Sequence, residues 1–170
     1  QGVLVKGGIH LETPARLKAI AMDKTGTLTE GRPKVVEIVA LGSRSDADLL
    51  RLAAALEARS EHPIARAILA RATESGIAAQ PAEAVHAITG RGMTGRVSGR
   101  EAWLGSRRYL DERAVGSPAI LERADALSGA GRTIVAVGEG QEVWGLIAVA
   151  DAVRAEAKDI VTALHRAGVE

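Results

Sequence analysis

The stretch Leu17-Lys18-Ala19-Ile20-Ala21-Met22-Asp23-Lys24-Thr25-Gly26-Thr27-Leu28-Thr29 decides how this chain is read. Its first six residues form an apolar run broken only by Lys18, which predicts a short buried strand. Gly26, and then Gly31-Arg32-Pro33, are loop signals, so the strand is expected to end at Asp23. A carboxylate is thereby placed at the carboxyl end of a central strand, where open α/β sheets hold their ligands. Hydroxyls at Thr25 and Thr27 surround it, and the glycine between them lets backbone amides approach an anion closely. A carboxylate so placed can attack phosphorus and become an aspartyl-phosphate. An isolated Asp-x-Thr-Gly-Thr also suits a simple turn cap, so the residue types alone leave both roles open.

Outward from this loop, residues 34–41 are rich in β-branched side chains and predict a strand. Ser45 with Asp48 three positions on predicts a capping box for a helix over 46–59, with Leu49, Leu52, Ala53 and Leu56 on one face. Pro63 suits the first position of a second helix, with His62 as its cap residue and Gly76 as its end. From Glu83 the apolar period moves towards two, which predicts a strand through Thr89. Residues 92–104 read as a hairpin turning at Ser98-Gly99. Helices fit 106–113 and 118–130, strands fit 133–137 and 142–149, and an amphipathic helix fits 155–166. Residues 1–16, with Gly7-Gly8 and Pro14, read as a connector holding one helical turn.

This order predicts an α+β domain, an antiparallel sheet flanked by helices, over 34–147. Residues 1–33 and 148–170 read as two halves of a second unit into which that domain is inserted, an arrangement tolerated when the inserted termini meet.

Composition narrows the function classes. The 170 residues are 46% apolar, ample for a core, but only 2% aromatic with no Phe, so Ala, Val, Leu and Ile must fill it. A net charge of +1 gives no global field, so nothing argues for nucleic acid or an anionic membrane surface as partner. No Cys excludes disulfides and thiolate metal sites. No apolar run is long enough to span a bilayer and no signal peptide opens the chain, so the chain as given is expected to be soluble. His10, His86 and His165 are scattered without metal-ligand spacing.

The string Asp23-Lys24-Thr25-Gly26-Thr27-Leu28-Thr29, followed by Glu30-Gly31, resembles the phosphorylation motif of the P-type ATPases. Ser60-Glu61-His62-Pro63 resembles the nucleotide-domain motif of the heavy-metal-transporting branch, and Gly90-Arg91-Gly92 resembles its Gly-x-Gly loop. Residues 5–12 and 145–151 are similar to the segments that lead into and return to the phosphorylation domain. The resemblance covers essentially the whole chain, with the motifs in family order.

The resemblance implies a haloacid-dehalogenase-like α/β phosphorylation domain, partial here, carrying the inserted nucleotide-binding domain. Asp23 would accept the γ-phosphoryl group of ATP, with Lys24, Thr25 and Thr27 around it. Mg²⁺ would sit on the Asp23 carboxylate and the Thr25 carbonyl, an oxygen-only set of the kind that ion prefers. ATP would lie on Glu57, His62, Gly90 and Gly92. A helix N-terminus disfavours the imidazolium, so His62 is expected as a neutral ring able to donate, accept and stack. The Asn that some members use near 105–113 is absent. Trp103 and Trp144 read as packing residues.

The same resemblance makes the parent a pump of the plasma (inner) membrane, with this piece as its cytoplasmic loop. Its partners are then the pump's own membrane and actuator domains, and the transported metal binds only in the membrane part. The flanks lean towards the zinc, cadmium, lead and cobalt pumps over the copper branch. The family's next strand and Thr-Gly-Asp loop would follow Glu170, so the 170 residues alone are expected to bind ATP and turn over little of it. A soluble haloacid-dehalogenase-like phosphatase is the competing reading. Its nucleophile is usually followed two residues later by a catalytic Asp, and here that position is Thr25, which cannot serve as the acid.

Overall fold

The computed structural model describes residues 4–12 and 16–170, with Ile9 and Leu11 described by backbone alone. Pro14, expected in the connector, lies outside the described residues. Two compact units emerge: Arg32–Ala152, and the described residues up to Gly31 together with Val153–Glu170.

The larger unit is organised by a six-stranded sheet. Its strands are β1 (Thr29–Ala40), β2 (Glu83–Ile88), β3 (Gly92–Val97), β4 (Arg100–Gly105), β5 (Thr133–Glu139) and β6 (Glu142–Val153), in spatial order β1-β6-β5-β4-β3-β2. The pairs from β2 to β6 are antiparallel. The first strand joins the far edge beside β6. The Leu41 amide donates to the Trp144 carbonyl and the Arg32 amide to the Asp151 carboxylate, so opposite ends meet and this pair is antiparallel as well.

Period-two alternation divides the core between the sheet faces. Ala102, Leu104, Val135, Val137, Ile147 and Val149 face one side, under α2 (Asp46–Glu57) and α3 (Pro63–Glu74). Trp103, Ile134, Ala136, Leu146 and Ala148 face the other, under α4 (Arg107–Arg113) and α5 (Pro118–Gly129). Leu49, Leu56 and Ile68 are fully enclosed, each worth about 2 kcal/mol of transfer free energy. With no Phe to fill the second face, Trp103 does so, its indole N–H bonded to the Gly140 carbonyl at 3.0 Å.

The local signals act as their chemistry dictates. Ser45 and Asp48 form the reciprocal box at the start of α2. Ser98 and Gly99 both take left-handed backbone, φ 53° and 77°, the combination that lets a two-residue hairpin turn follow the strand twist. The strand expected from Glu83 forms as β2; it lies at the sheet edge, and most of it is exposed.

The smaller unit holds a single turn, α1 (Ile9–Glu12), and the helix α6 (Ala157–Arg166). The strand expected over residues 17–22 is not formed. Ile20 donates to the Glu170 carbonyl at 2.7 Å and Glu170 donates back to Lys18 at 2.9 Å. Leu17 and Met22 are 40% and 37% exposed. A two-sided apolar run becomes a buried strand when ladders flank it on both sides, and two hydrogen bonds to one residue do not make a ladder.

Candidate functional site

Asp23 stands at the head of an irregular turn over Lys24–Leu28. Thr25 (φ −80°, ψ 118°) and Gly26 (φ 82°, ψ −13°) have the backbone angles of the two central residues of a type II turn, in which the second centre needs glycine to reach positive φ cheaply. The Asp23 side chain is exposed and makes no capping hydrogen bond. The simple turn-cap role is therefore not the one it plays. Lys24, Thr25 and Thr27 are exposed beside it.

Two residues to which sequence reasoning gave no role hold this turn. Thr29 is buried, 1% exposed. Its hydroxyl accepts from the Gly26 amide and donates to the Lys24 carbonyl, both at 3.1 Å, and its own amide also reaches that carbonyl. Arg154 grips the turn from the returning chain. Its amide donates to Leu28 at 2.9 Å, Nε to the Thr27 carbonyl at 3.1 Å and a terminal nitrogen to the Gly26 carbonyl at 3.2 Å. The available signal was a lone Arg at the end of the apolar strand β6, far from the loop in sequence.

In the larger unit, Glu57 ends α2 and His62 caps α3, linked by a turn in which the Ser60 amide donates to the Glu57 carbonyl at 2.9 Å. The Ser60 hydroxyl accepts from the His62 amide at 3.3 Å. His62 Nδ1 accepts from the Ile64 amide at 3.2 Å, so the ring proton sits on Nε2. This narrows the expectation for His62: its acceptor nitrogen is occupied by the helix, and the exposed ring offers a donor and a face, not a second acceptor.

Glu57 supplies the acceptor instead. It is 4% exposed, and its Oε2 has no hydrogen-bond partner among the described residues. Burial pushes its carboxyl above the ordinary carboxylate range, with Ser60 and His62 pulling the other way. A buried carboxylate oxygen without a donor is costly, and a ligand amine would relieve that cost.

The two glycines of Gly90-Arg91-Gly92 differ in kind. Gly90 closes a turn at φ 69°, and the space where a side chain would stand is open. Gly92 has a structural reason: a Cβ there would collide with the Leu104 carbonyl oxygen and Gly105 Cα on β4. The loop is also tied down through Arg91, whose carbonyl accepts from the Ser106 amide at 2.7 Å and whose guanidinium pairs with Glu112 at 3.1 Å. Met93, beside Gly92, packs on the same core cluster as Leu56 and Ile64, the neighbours of Glu57 and His62.

The structure thus brings Asp23, Lys24, Thr25 and Thr27 into one loop, and places Glu57, His62, Gly90 and Gly92 in the other unit. Among the described residues no three His, Asp or Glu side chains gather into a metal site. No described helix is long and apolar enough to cross a membrane.

Comparison with known proteins adds the relatives. Residues 17–170 match the family model of the haloacid dehalogenase-like hydrolases. A probable copper-exporting P-type ATPase V of Mycobacterium tuberculosis (strain ATCC 25618 / H37Rv) is 42% identical over 170 residues, covering 99% of this chain and 22% of that protein. A probable cadmium-transporting ATPase of Staphylococcus aureus (strain MRSA252) is 38% identical over 175 residues, covering 100% of this chain and 24% of that one. A crystal structure of a zinc-transporting PIB-type ATPase in its E2.Pi state superposes with a TM-score of 0.76 at 35% identity, over 98% of this chain and 27% of that one. The chain therefore spans about a quarter or less of the length of the curated relatives it matches.

Proposed function

Because the chain belongs to the haloacid dehalogenase-like hydrolases, in their heavy-metal P-type ATPase branch, we propose that it is the ATP-using portion of a metal-transporting pump. ATP is held by the unit carrying Glu57, His62 and Gly90, and its γ-phosphoryl group passes to Asp23. An Asp23 carboxylate oxygen attacks the γ-phosphorus, the bond to the bridging oxygen breaks, and ADP leaves with that electron pair. Asp23 and the Thr25 carbonyl would hold Mg²⁺, which when bound would supply positive charge against the phosphates. Formation and loss of the aspartyl-phosphate would drive metal movement in a membrane part of the pump.

The observation that carries this reading is the state of Asp23: exposed, without a capping bond, at the head of a turn fastened from behind by Thr29 and Arg154. A structural aspartate would be spent on the turn; this one is left to react. The residues also fit the nucleotide. Glu57 Oε2 offers an acceptor suited to the adenine amine, and His62 offers a ring face and the Nε2 donor. Thr25, where soluble phosphatases of this fold need an acid, favours a phosphoenzyme that persists.

The transported ion is proposed as a divalent transition metal of the zinc and cadmium kind, on the resemblance of residues 5–12 and 17–31. The 42% identity to a protein named as a copper exporter supports the copper branch as the second reading. Titration of this chain with ATP by calorimetry, beside His62→Ala, tests the nucleotide site; equal affinity in both would remove His62 from it. Labelling the whole pump with radioactive γ-phosphate tests Asp23. The label should be hydroxylamine-labile and absent from Asp23→Asn, and label retained by that variant would refute the assignment.

A further inference from the structure

The Gly90-Arg91-Gly92 loop presents a positive charge beside its open glycine. The Arg91 backbone is fixed on both sides: its amide donates to the Ile88 carbonyl at 2.9 Å, and its carbonyl accepts from the Ser106 amide at 2.7 Å. Its side chain remains 43% exposed, and at Gly90 the space a side chain would fill is empty. A guanidinium thus rises from a rigid base into reach of solvent.

Arg91 shares its counter-ion. Its Nε meets Glu112 Oε2 at 3.1 Å, while Arg108 Nε meets Glu112 Oε1 at 3.0 Å. Among the described residues neither guanidinium pairs with any other carboxylate. One anion therefore serves two cations, and a positive charge is left over. The other arginines of α4 differ. Arg107 is met by both Asp111 and Asp125, and Arg113 by Glu101 and the Gly140 carbonyl while it stacks over Trp103. An Arg108–Glu112 pair four residues apart is an ordinary helix-surface contact, but a second arginine arriving from a glycine loop is not part of that pattern. Both arginines are held through Nε, which leaves their terminal nitrogens for an anion with several oxygens.

We propose, resting on the reading that ATP lies on Glu57, His62 and Gly90, that Arg91 and Arg108 bind its phosphate chain. Base and phosphates are then gripped by different elements: the adenine by the turn between α2 and α3, the phosphates by the glycine loop and α4.

Calorimetric titration of the 170-residue chain with ATP and with adenosine separates the two ends of the ligand. Arg91→Gln should weaken ATP binding about tenfold, the loss of a hydrogen bond between charged partners, and leave adenosine affinity unchanged. Arg91→Lys keeps the charge without the fork and should fall between wild type and Arg91→Gln. Arg108→Gln, on the exposed face of α4, should weaken ATP binding about threefold in the same selective way. The gap between wild type and Arg91→Gln should narrow as KCl is raised, because exposed charges are screened. A wild-type ratio of ATP to adenosine affinity in both glutamine variants would overturn the proposal, as would an equal loss for both ligands, which marks a loop that is merely deformed. His62→Ala, which should weaken both ligands alike, tells the two failures apart. If it weakens both while the arginine variants change nothing, only the phosphate contact falls; if it weakens neither, the nucleotide site falls and this inference with it.

Discussion

The Arg154 guanidinium donates through Nε to the Thr27 carbonyl at 3.1 Å, joining residues 127 positions apart. With the Gly26 carbonyl drawn to the same guanidinium, the rigid trans peptide turns the Thr27 amide to the opposite side. A charged donor behind the turn thus dictates which way its amides face. The Asp23 loop is therefore not self-sufficient: its shape depends on the chain's return after β6.

Arg154→Gln should loosen the turn without unfolding the larger unit. The contacts are exposed, so their worth is modest. Amide exchange at Gly26 and Thr29 should quicken roughly three- to tenfold, while amides of β4 and β5 keep their rates. Unchanged exchange at both positions would show that Thr29 alone holds the turn.

The glycines of the Gly90-Arg91-Gly92 loop should separate on substitution. Gly92→Ala forces a side chain into the Leu104 carbonyl, and should cost more than about 3 kcal/mol or prevent folding. Gly90→Ala meets open space at φ 69°, so about 1–2 kcal/mol of backbone strain is expected, lowering Tm by a few degrees. If ATP passes close to Gly90, the folded Gly90→Ala protein should also bind it more weakly. Thermal melts and calorimetry on the two variants would show both effects.

Most of the larger unit was legible because each of its devices is local. The Ser45–Asp48 box, Pro63 after a capping residue, and Ser98-Gly99 between alternating runs each act within four residues of themselves. The strand expected over 17–22 was misread for the opposite reason: whether an apolar run becomes a buried strand depends on neighbours supplied from elsewhere in a fold. Arg154 was illegible because its partners are carbonyl groups, which leave no mark on residue identity. Gly92 keeps two readings, because glycine reports only that something comes close; the backbone of β4 is one such neighbour.

Ala114 closes α4 with left-handed backbone at φ 53°, a conformation that costs an L-residue about 1–2 kcal/mol. Ala114→Gly should therefore raise stability by up to about 1 kcal/mol, less the entropy that glycine adds to the unfolded chain. An urea melt should show a later midpoint with the same slope, and an earlier midpoint would contradict this account of the cap.

If ATP sits on Glu57 as proposed, the Glu57 proton links stability to nucleotide binding. Its folded pKa is raised from the ordinary 4.5 by burial. A raised pKa means that the folded state holds the proton more tightly than the unfolded chain. The stabilisation is complete below pH 4.5 and is lost as pH rises through the folded pKa. Glu57→Gln removes the ionisation, so its melting temperature should be flat across that window where the wild type falls. At neutral pH the variant should be the more stable protein, by about 1–2 kcal/mol, since no enclosed charge remains unpaired. ATP affinity should move the other way. A ligand amine donating to Oε2 favours the ionised carboxylate, so wild-type binding should strengthen with pH relative to Glu57→Gln, which cancels the titration of ATP itself. The variant should bind about tenfold more weakly at neutral pH, the loss of one hydrogen bond to a charged acceptor. Parallel pH profiles of affinity for the two proteins would place the adenine elsewhere, whatever the melts showed.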